Sequence, residues 1–326
     1  MSMLQSLEEL SKGRRRPAPR HVVDQLIEER ARHLSQDPVL WPLIRTFVYP
    51  ILQYGKAIDM ADEIADQGGV EVLDRLSRLL HLRLEVSGLQ HVPKTGPVII
   101  VANHPSGIAD GIAVYDALKQ VRPDITFFAN RDAIRVAPRL DEVLIPVEWV
   151  AENRSPARSR ETLKASVEAL NAGRAVVLFP SGRIAQAKNF RLRERPWLTT
   201  PISLARKYHA PILPMHVRSR NSLLYYALWK ISPELRDMTL FHELLNKRGK
   251  LFGITVAEPA PPSTLTGDAE ELISELQSFV EDDLAEGRAD ALRLYEVARA
   301  QKAGEAGCAA MQAANDAEEA ARTVRV

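Results

Sequence analysis

The chain has 326 residues, enough for one large domain with appendages or for two modest domains. Its hydrophobic and charged fractions, 45% and 26%, are those of an ordinary soluble globular protein. Because 43 basic residues balance 42 acidic ones, nothing in the overall charge indicates a nucleic-acid partner. The single cysteine, Cys308, excludes a disulfide framework and a cysteine-based metal site, and it fits a reducing cytoplasmic compartment.

Neither end of the chain shows a globular pattern. Residues 1–18 contain the basic run Arg14-Arg15-Arg16 before Pro17, lack the apolar core of a signal peptide, and are predicted to form a mobile basic arm. Residues 304–326 form an Ala-rich tail with little to bury, which predicts a frayed helix or a disordered segment. No run of about 18 uncharged apolar residues occurs, so we expect no membrane-spanning helix.

Residues 19–81 are predicted to form an N-terminal helical region. Apolar residues at helical spacing predict helices over His21–His33 and Val70–Leu80. Between them, Val39–Tyr54 is the most apolar segment of the chain, and it contains Trp and Tyr residues of the kind found at membrane interfaces. Two interpretations of this segment stay open, a helix packed on the main domain and a peripheral membrane contact.

Short apolar runs alternate with helical segments over residues 82–258, which predicts one α/β domain there. Strands are expected at Leu82–Val86, Val98–Ala102, Ile125–Ala129, Val143–Val147, Ala175–Phe179, Ile212–Val217 and Leu251–Val256. Helices are expected at Ile112–Val121, Pro156–Ala172 and Pro196–His209. This order predicts a single mixed, largely parallel sheet of about seven strands flanked by helices. A C-terminal helical region is predicted over residues 259–303, with its helix from about Gly267 to Lys302.

The stretch Val98–Gly111 delivers a histidine to the carboxyl end of a buried strand, which is where ligands bind in open α/β sheets. His104 and Asp110 are six residues apart, so they meet only if the Pro-Ser-Gly segment between them turns. A neutral imidazole oriented by a carboxylate is a general base. The alternative is a histidine that is merely hydrogen-bonded in a turn, but the preceding Asn103 and the Asp-Gly that follows favour catalysis.

The segment Phe179–Arg183 repeats this layout, because a buried strand again ends in a turn that contains proline and glycine. Backbone N–H groups of such a turn, with Arg183 beside them, are suited to an anion such as a phosphate. The alternative is a plain strand-to-loop turn with a solvated arginine. Ser181 is a poor nucleophile candidate, since Phe179 occupies the first glycine position of a G-x-S-x-G elbow.

Other arginines and histidines are weaker candidates. Arg131 follows another predicted strand, which makes it the best placed of the remaining arginines. His216 lies inside a proline-bracketed strand and is interpreted as a satisfied core or edge histidine. The spacing of His209 and His216 suits neither one helix face nor a known ligand pair, so no metal site is predicted.

In their order along the chain, these blocks resemble the glycerolipid acyltransferase superfamily, of the lysophosphatidic acid acyltransferase type. The resemblance covers roughly residues 80–258. Two departures stand out: the His-to-Asp spacing is one residue longer than usual, and Ser181 replaces the glutamate of the Pro-Glu-Gly block. The matching blocks are Asn103-His104 through Asp110, Asn130-Arg131, Phe179-Pro180-Ser181-Gly182-Arg183 and Ala210-Pro211-Ile212-Leu213-Pro214.

The longer spacing and the segment Glu243–Lys250 resemble the hemolysin-like branch, which is related to ornithine-lipid acyltransferases. The resemblance implies transfer of a fatty acyl group from acyl-CoA or acyl-ACP to a lysolipid hydroxyl. His104 is then the general base and Asp110 orients it, and backbone N–H groups near the turn after His104 are expected to bind the oxyanion. Candidate substrate-binding residues are Asn103, Ser106, Gly107, Arg131, Ser181, Gly182 and Arg183.

The expected partners are a lipid acceptor and acyl-CoA or acyl carrier protein, with no cofactor, metal or nucleic acid. We expect a cytoplasmic protein, peripheral to the inner face of the cytoplasmic membrane. One alternative is a catalytically degenerate lipid-binding or scaffold protein on the same fold. Another is an esterase or thioesterase in which His104 activates water.

Overall fold

The structure is a computed structural model that describes residues 20–148, 155–188 and 191–294. The predicted basic arm of residues 1–18 and the Ala-rich tail of residues 304–326 lie outside the described residues. No helix in the described ranges is long and apolar enough to cross a bilayer.

Helices fill the described part of the chain that precedes the sheet. The helix predicted over His21–His33 ends early and a second one follows, and a helix over 54–64 was not predicted. Its buried residues Ala57, Met60, Ala61 and Ile64 have the spacing of a helix that packs along one face. The helices are α1 (Val22–Arg30), α2 (Arg32–Gln36), α3 (Leu40–Ile51), α4 (Tyr54–Ile64) and α5 (Gly69–Leu80).

Within the described residues, seven strands form one sheet. They are β1 (Arg83–Ser87), β2 (Val98–Ala102), β3 (Thr126–Asn130), β4 (Leu144–Val147), β5 (Ala175–Leu178), β8 (Ile212–Arg218) and β9 (Leu251–Val256), and a separate antiparallel hairpin, not predicted, is formed by β6 (Gln186–Lys188) and β7 (Arg191–Arg193). The order along the sheet is β1-β9-β8-β2-β5-β3-β4. Neighbouring strands are parallel except β8 and β9, which are antiparallel. The predicted fold class, a mixed and largely parallel sheet of about seven strands, is confirmed.

The remaining helices flank the sheet or lie beyond its ends. Three predicted ones are present with shifted limits, and the helices between residues 223 and 245 were not predicted. They are α6 (Ile108–Leu118), α7 (Asp132–Val136), α8 (Pro156–Asn171), α9 (Thr200–Tyr208), α10 (Leu223–Ile231), α11 (Pro233–Asp237), α12 (Leu240–Leu245) and α13 (Ala269–Ser278). Of the helix predicted from about Gly267 to Lys302, the structure shows α13 up to Ser278 and then a π-helical turn over Phe279–Asp283, while residues 295–302 lie outside the described residues.

Apolar side chains cover both faces of the sheet, which explains why β2 is apolar at all five positions and fully buried. Val98 and Ile100 pack into the hydrophobic cluster that includes α1, α3, α4, α5 and α6. Ile99 and Val101 point to the other face, toward α8, α9 and α13. The larger cluster therefore joins the N-terminal helices to the sheet, while the predicted domain limits stay predictions.

The parallel strands bring several polar residues to one edge of the sheet. Strands β8, β2, β5 and β3 run in the same direction, so their carboxyl ends lie side by side. His104 follows β2, Ser181 follows β5, Arg131 follows β3 and Ser219 follows β8. This edge is therefore where the predicted site residues are found.

Candidate active site

His104 and Asp110 lie in contact at the carboxyl end of β2. Nδ1 of His104 is 3.0 Å from Oδ2 of Asp110, whose side chain is fully buried. The Nδ1–H bond is not aligned with that oxygen, so the contact is close but bent, as catalytic hydrogen bonds often are before substrate binds. Nδ1 is enclosed while 19% of the histidine side chain is exposed, so the exposed part of the ring lies away from Asp110.

The His104 ring is also held from its face. It stacks on the ring of Phe179, with the centroids 4.2 Å apart and the planes 24° apart. Phe179 follows β5, the neighbour of β2 in the sheet. The imidazole is therefore fixed on one side by a carboxylate and on its face by an aromatic ring.

Asp110 reaches His104 because α6 begins at Ile108, four residues earlier than predicted. Gly107 precedes the helix with φ of +96°, and a Cβ there would lie 2.9 Å from Cδ1 of Ile184. Only glycine suits such a position. The Gly107 N–H donates to Oδ2 of Asp110 at 2.9 Å, so the carboxylate caps the first turn of its own helix.

Asp110 is surrounded by donors. The main-chain N–H of Ser106 donates to Oδ2 at 2.7 Å, and the Ser106 hydroxyl donates to Oδ1 at 2.5 Å. The Ser219 hydroxyl, at the end of β8, lies 2.9 Å from the same Oδ1. Burial by itself raises the pKa of Asp110, but the hydrogen bonds and charge of His104 and the donors of Ser106 outweigh it and lower the pKa. The group is therefore held as a carboxylate.

The same contacts occupy the backbone donors near His104. The N–H groups of Ser106 and Gly107 both point to Asp110, and the N–H of His104 donates to Glu194. These groups thus have acceptors within the protein, and binding of the oxyanion by backbone N–H groups near this turn stays a prediction.

The predicted substrate-binding residues before α6 have structural partners. Nδ2 of Asn103 donates to the carbonyl of Val217 at 2.9 Å, and the N–H of Val217 donates to Oδ1 of Asn103 at 2.7 Å. Asn103 thereby ties the end of β2 to β8. Ser106 and Gly107 hold Asp110, so contacts of these residues with substrate stay predictions.

The segment that begins with the turn Phe179–Arg183 is hydrogen-bonded to the main chain of His104. The Gly182 N–H donates to the carbonyl of Phe179 at 3.0 Å, and the Ser181 hydroxyl donates to that of Arg183 at 2.8 Å. Two residues on, the N–H of Ala185 donates to the carbonyl of His104 at 2.9 Å. The Arg183 side chain is exposed, and its role in anion binding stays a prediction.

Arg131 lies on the same edge but apart from His104. Its guanidinium pairs with Glu161 of α8 at 2.6 Å. Strand β5 separates β2 from β3, and two strand spacings amount to about 10 Å. Arg131 therefore does not join the histidine and aspartate, and any contact with substrate would be to a more distant part of it.

Glu194 is a residue of the site that the sequence did not reveal. Its carboxyl group accepts the main-chain N–H of His104 and, at 2.6 Å, the indole N–H of Trp197. Burial, and to a smaller degree the nearby Glu281, raise the pKa of Glu194 to about 8 against the hydrogen bonds that lower it. Glu194 lies 90 residues from His104 along the chain, and no motif spacing connects the two.

A buried ion pair anchors the chain beyond Ser219. Nζ of Lys247 lies 2.8 Å from Oε2 of Glu243 and 3.0 Å from Oδ1 of Asn221, and both charged side chains are 4% exposed. The Glu243–Lys250 segment, which resembles the hemolysin-like branch, thus supports the loop after β8.

Nδ1 of His216 contacts the carbonyl of Val280 at 2.8 Å. Among the described residues, no group of His, Cys, Asp and Glu could hold a metal ion.

Comparison with known proteins agrees with this geometry. Residues 83–218 match the acyltransferase family model. A lyso-glycine lipid O-acyltransferase of Phocaeicola vulgatus is 25% identical over 246 residues, 71% of this chain and 85% of the relative. One of Bacteroides thetaiotaomicron is 24% identical over 245 residues, 71% and 88% of the two chains.

Among solved structures, the 1-acyl-sn-glycerophosphate acyltransferase of Thermotoga maritima is similar over 81% of this chain and 98% of that one. The identity is 18% and the TM-score 0.44. The residues matched by the family model run from β1 to the end of β8 and contain both His104 and Asp110. The resemblance seen in the sequence blocks is confirmed, because residues 83–218 match the acyltransferase family model.

Proposed function

We propose that the protein transfers a fatty acyl group from an acyl thioester, acyl-CoA or acyl-ACP, to the hydroxyl group of a lysolipid. The contact between His104 and the buried carboxylate of Asp110 carries this proposal. It lies at the edge where α/β sheets bind ligands, and the exposed side of the imidazole faces away from Asp110.

In the proposed reaction, Nε2 of His104 removes the proton of the acceptor hydroxyl as its oxygen attacks the thioester carbonyl. Asp110 stabilises the imidazolium and keeps Nδ1 protonated. The tetrahedral intermediate then collapses, the C–S bond breaks, and the thiolate takes the proton from the imidazolium. No acyl-enzyme is formed, and the products are an ester and a free thiol.

We propose a lyso-glycine lipid, or a related lysolipid with an anionic headgroup, as the acceptor. The names of the two curated relatives support this choice. The exposed Arg183 beside the turn after β5 is the proposed partner of an anionic group on the acceptor or on the donor. Gly182, with φ of +62°, takes the left-handed backbone conformation that this turn requires.

The test is release of free thiol by purified protein, with acyl-CoA and acyl-ACP as donors and lyso-glycine lipid and lysophosphatidic acid as acceptors. His104→Ala should lower the rate by on the order of 10²- to 10⁴-fold, the contribution of a general base. His209→Asn is the matched control, because His209 is exposed and its left-handed backbone conformation suits asparagine.

Three outcomes would contradict the proposal. Equal rates for His104→Ala and the wild type would exclude the mechanism. Thiol release without an acylated lipid would indicate a thioesterase. Binding to lipid vesicles without thiol release from either donor would favour the degenerate lipid-binding protein.

We further propose that the protein acts in the cytoplasm and contacts the membrane through α3. One face of α3 is buried, including Trp41, Ile44 and Tyr49. The opposite face carries apolar side chains that are at least half exposed and recur every four residues, within about 120° of arc. This apolar stripe consists of Val39, Leu43, Phe47 and Ile51, at 71%, 50%, 66% and 60% exposure.

A further inference from the structure

We propose that Glu194 is a positioning residue of the acyl-transfer centre. Its carboxyl group, in the segment after β7, takes the place of the motif glutamate that Ser181 replaces in the turn after β5. This proposal rests on the proposed function. It concerns how the main chain of His104 is held, and it assigns Glu194 no direct contact with substrate.

The carboxyl group of Glu194 joins three separate parts of the site. One oxygen accepts the main-chain N–H of His104, at the end of β2. The other accepts Nε1–H of Trp197 at 2.6 Å. The Ser181 hydroxyl, in the turn after β5, is close enough to the same carboxyl group to lower its pKa. Glu194 therefore connects the histidine to the turn whose glutamate is missing.

The His104 main chain is held on both sides by these segments. Its N–H donates to Glu194, and its carbonyl accepts the N–H of Ala185 at 2.9 Å. Without Glu194, the N–H of a half-buried residue at the strand end would lose its partner. A small shift of the imidazole from the acceptor hydroxyl is costly, since misplacement by about 1 Å can lower a rate by about 100-fold.

Glu194 is itself held in place by the C-terminal helical region. Its main-chain N–H donates to Oε1 of Glu281 at 3.3 Å, and Arg193 pairs with Oε2 of the same residue at 3.3 Å. The main-chain N–H of Trp197 donates to Oε1 of Gln277 at 3.0 Å. The carboxyl group is thus presented by an anchored backbone, as a supporting residue of a preorganised site requires.

The chemistry of the contacts favours a carboxyl group over an amide. Both oxygens of Glu194 accept from N–H donors, one from His104 and one from Trp197. A glutamine has one acceptor oxygen and one NH₂ group, so one of the two donors would face another donor. Glutamine should therefore replace Glu194 only in part.

The proximity of Ser181 to this carboxyl group provides a rescue experiment. We compare the wild type, Glu194→Ala, Glu194→Gln and the double variant Ser181→Glu/Glu194→Ala in the thiol-release assay. Glu194→Ala should lower kcat by about 100-fold with little change in KM for donor or acceptor. Glu194→Gln should lose less, and the double variant should recover roughly tenfold over Glu194→Ala. Glu168→Ala, an exposed glutamate of α8, should match the wild type.

A second measurement does not depend on activity. In protein labelled with ¹⁵N-histidine, the amide proton resonance of His104 should lie downfield in the wild type and move upfield in Glu194→Ala. It should be unchanged in Glu168→Ala. If the wild type transfers no acyl group, the proposed function fails, yet this resonance still tests the contact; if Glu194→Ala does not fold, Glu194→Gln takes its place in both measurements.

The proposal would be overturned by a Glu194→Ala variant with wild-type kcat or with an unshifted His104 amide resonance. A loss that appears only in KM would assign Glu194 to substrate binding instead. A double variant no better than Glu194→Ala would refute the equivalence with position 181.

Discussion

Asp110 is the most heavily engaged group of the site. Both of its oxygens accept hydrogen bonds from Ser106, Oδ2 accepts another from Gly107, and the same oxygen contacts His104. The donors lower its pKa although the group is completely buried. One side chain therefore both caps α6 and orients the histidine. The effect of its charge on kcat can thus be measured apart from the effect of its shape on stability.

Asp110→Asn keeps the shape and removes the charge. An asparagine oxygen can still accept from the N–H groups of Ser106 and Gly107, while its NH₂ group faces the hydroxyls of Ser106 and Ser219. Because the imidazolium then lacks its carboxylate, we expect kcat to fall by on the order of 10²- to 10⁴-fold. The free energy of unfolding should fall by only about 1–3 kcal/mol, measured by urea unfolding.

Asp116→Asn is the matched control on the same helix. Asp116 accepts from the Ser77 hydroxyl at 2.6 Å and pairs with Lys119 at 2.7 Å. It lies about two helical turns into α6, away from the sheet edge. The Asp116→Asn substitution should lower stability without lowering kcat. Similar kcat values for the two variants would refute the role of Asp110.

Site residues were predictable from the sequence where they lie close to one another along the chain. His104 and Asp110 belong to one strand–turn–helix segment, so their spacing indicated that they could meet. Glu194 and Ser219 reach the same site from positions 90 and more than 100 residues away, through strand order and a hairpin. A lone glutamate after a short basic strand has no local pattern that indicates such a contact.

At the level of elements, the start of α6 shows why the ends of helices were harder to predict from the sequence than the positions of the strands. The apolar pattern predicted a helix from Ile112, since Ala109, Asp110 and Gly111 do not continue an apolar stripe. The helix begins at Ile108 because Asp110 caps its first turn and Gly107 can take a positive φ. That signal was present as a Gly-x-x-Asp sequence, and it decides where the carboxylate lies.

Both interpretations of the segment Val39–Tyr54 have support in α3, since one face is packed and the other is exposed. Leu43→Glu/Phe47→Glu removes the centre of the apolar stripe without touching the buried face. Burial of two such side chains is worth roughly 3–6 kcal/mol, so binding to vesicles should weaken by on the order of 100-fold or more. Flotation with phospholipid vesicles measures this.

The control for the stripe is Val70→Glu/Leu163→Glu, which changes two apolar side chains of similar exposure on other helices. It should float as the wild type does. Equal flotation of the two double variants would show that α3 is not the membrane contact. Both should unfold at the wild-type temperature, because each replaced side chain is about half exposed.

At the level of the whole molecule, the strands of the sheet were predictable from the sequence, whereas helices α10 to α12 were not. The central strands β2 and β5 are short apolar runs, because burial on both faces makes such runs nearly continuous in apolar character, whereas β1 alternates polar and apolar residues. Helices α10 to α12 are short and pack partly on polar residues such as the Glu243–Lys247 pair. Their formation depends on tertiary contacts rather than on a long apolar stripe.

The raised pKa of Glu194 makes the stability of the whole protein depend on pH in a defined direction. Glu194 faces the His104 main chain, Trp197 and the nearby Glu281 carboxylate, and its pKa is about 8 in the folded protein against an ordinary value of 4.5. Between these two values the unfolded chain loses a proton that the folded protein keeps. The unfolded state then binds fewer protons, so the contribution of Glu194 to the free energy of unfolding is complete below about pH 4.5 and declines as pH rises toward 8.

Glu194→Gln cannot lose a proton, so it should lack this decline. We therefore expect the free energy of unfolding of the wild type, minus that of Glu194→Gln, to decrease steadily from pH 5 to pH 8. Urea unfolding of both proteins at several pH values in this range measures the difference, and other titrating groups, such as Asp110 with its lowered pKa, cancel in it. A constant difference over this range would mean that the pKa of Glu194 is not raised in the folded protein, and that its carboxylate, rather than its neutral form, holds the N–H of His104 at neutral pH.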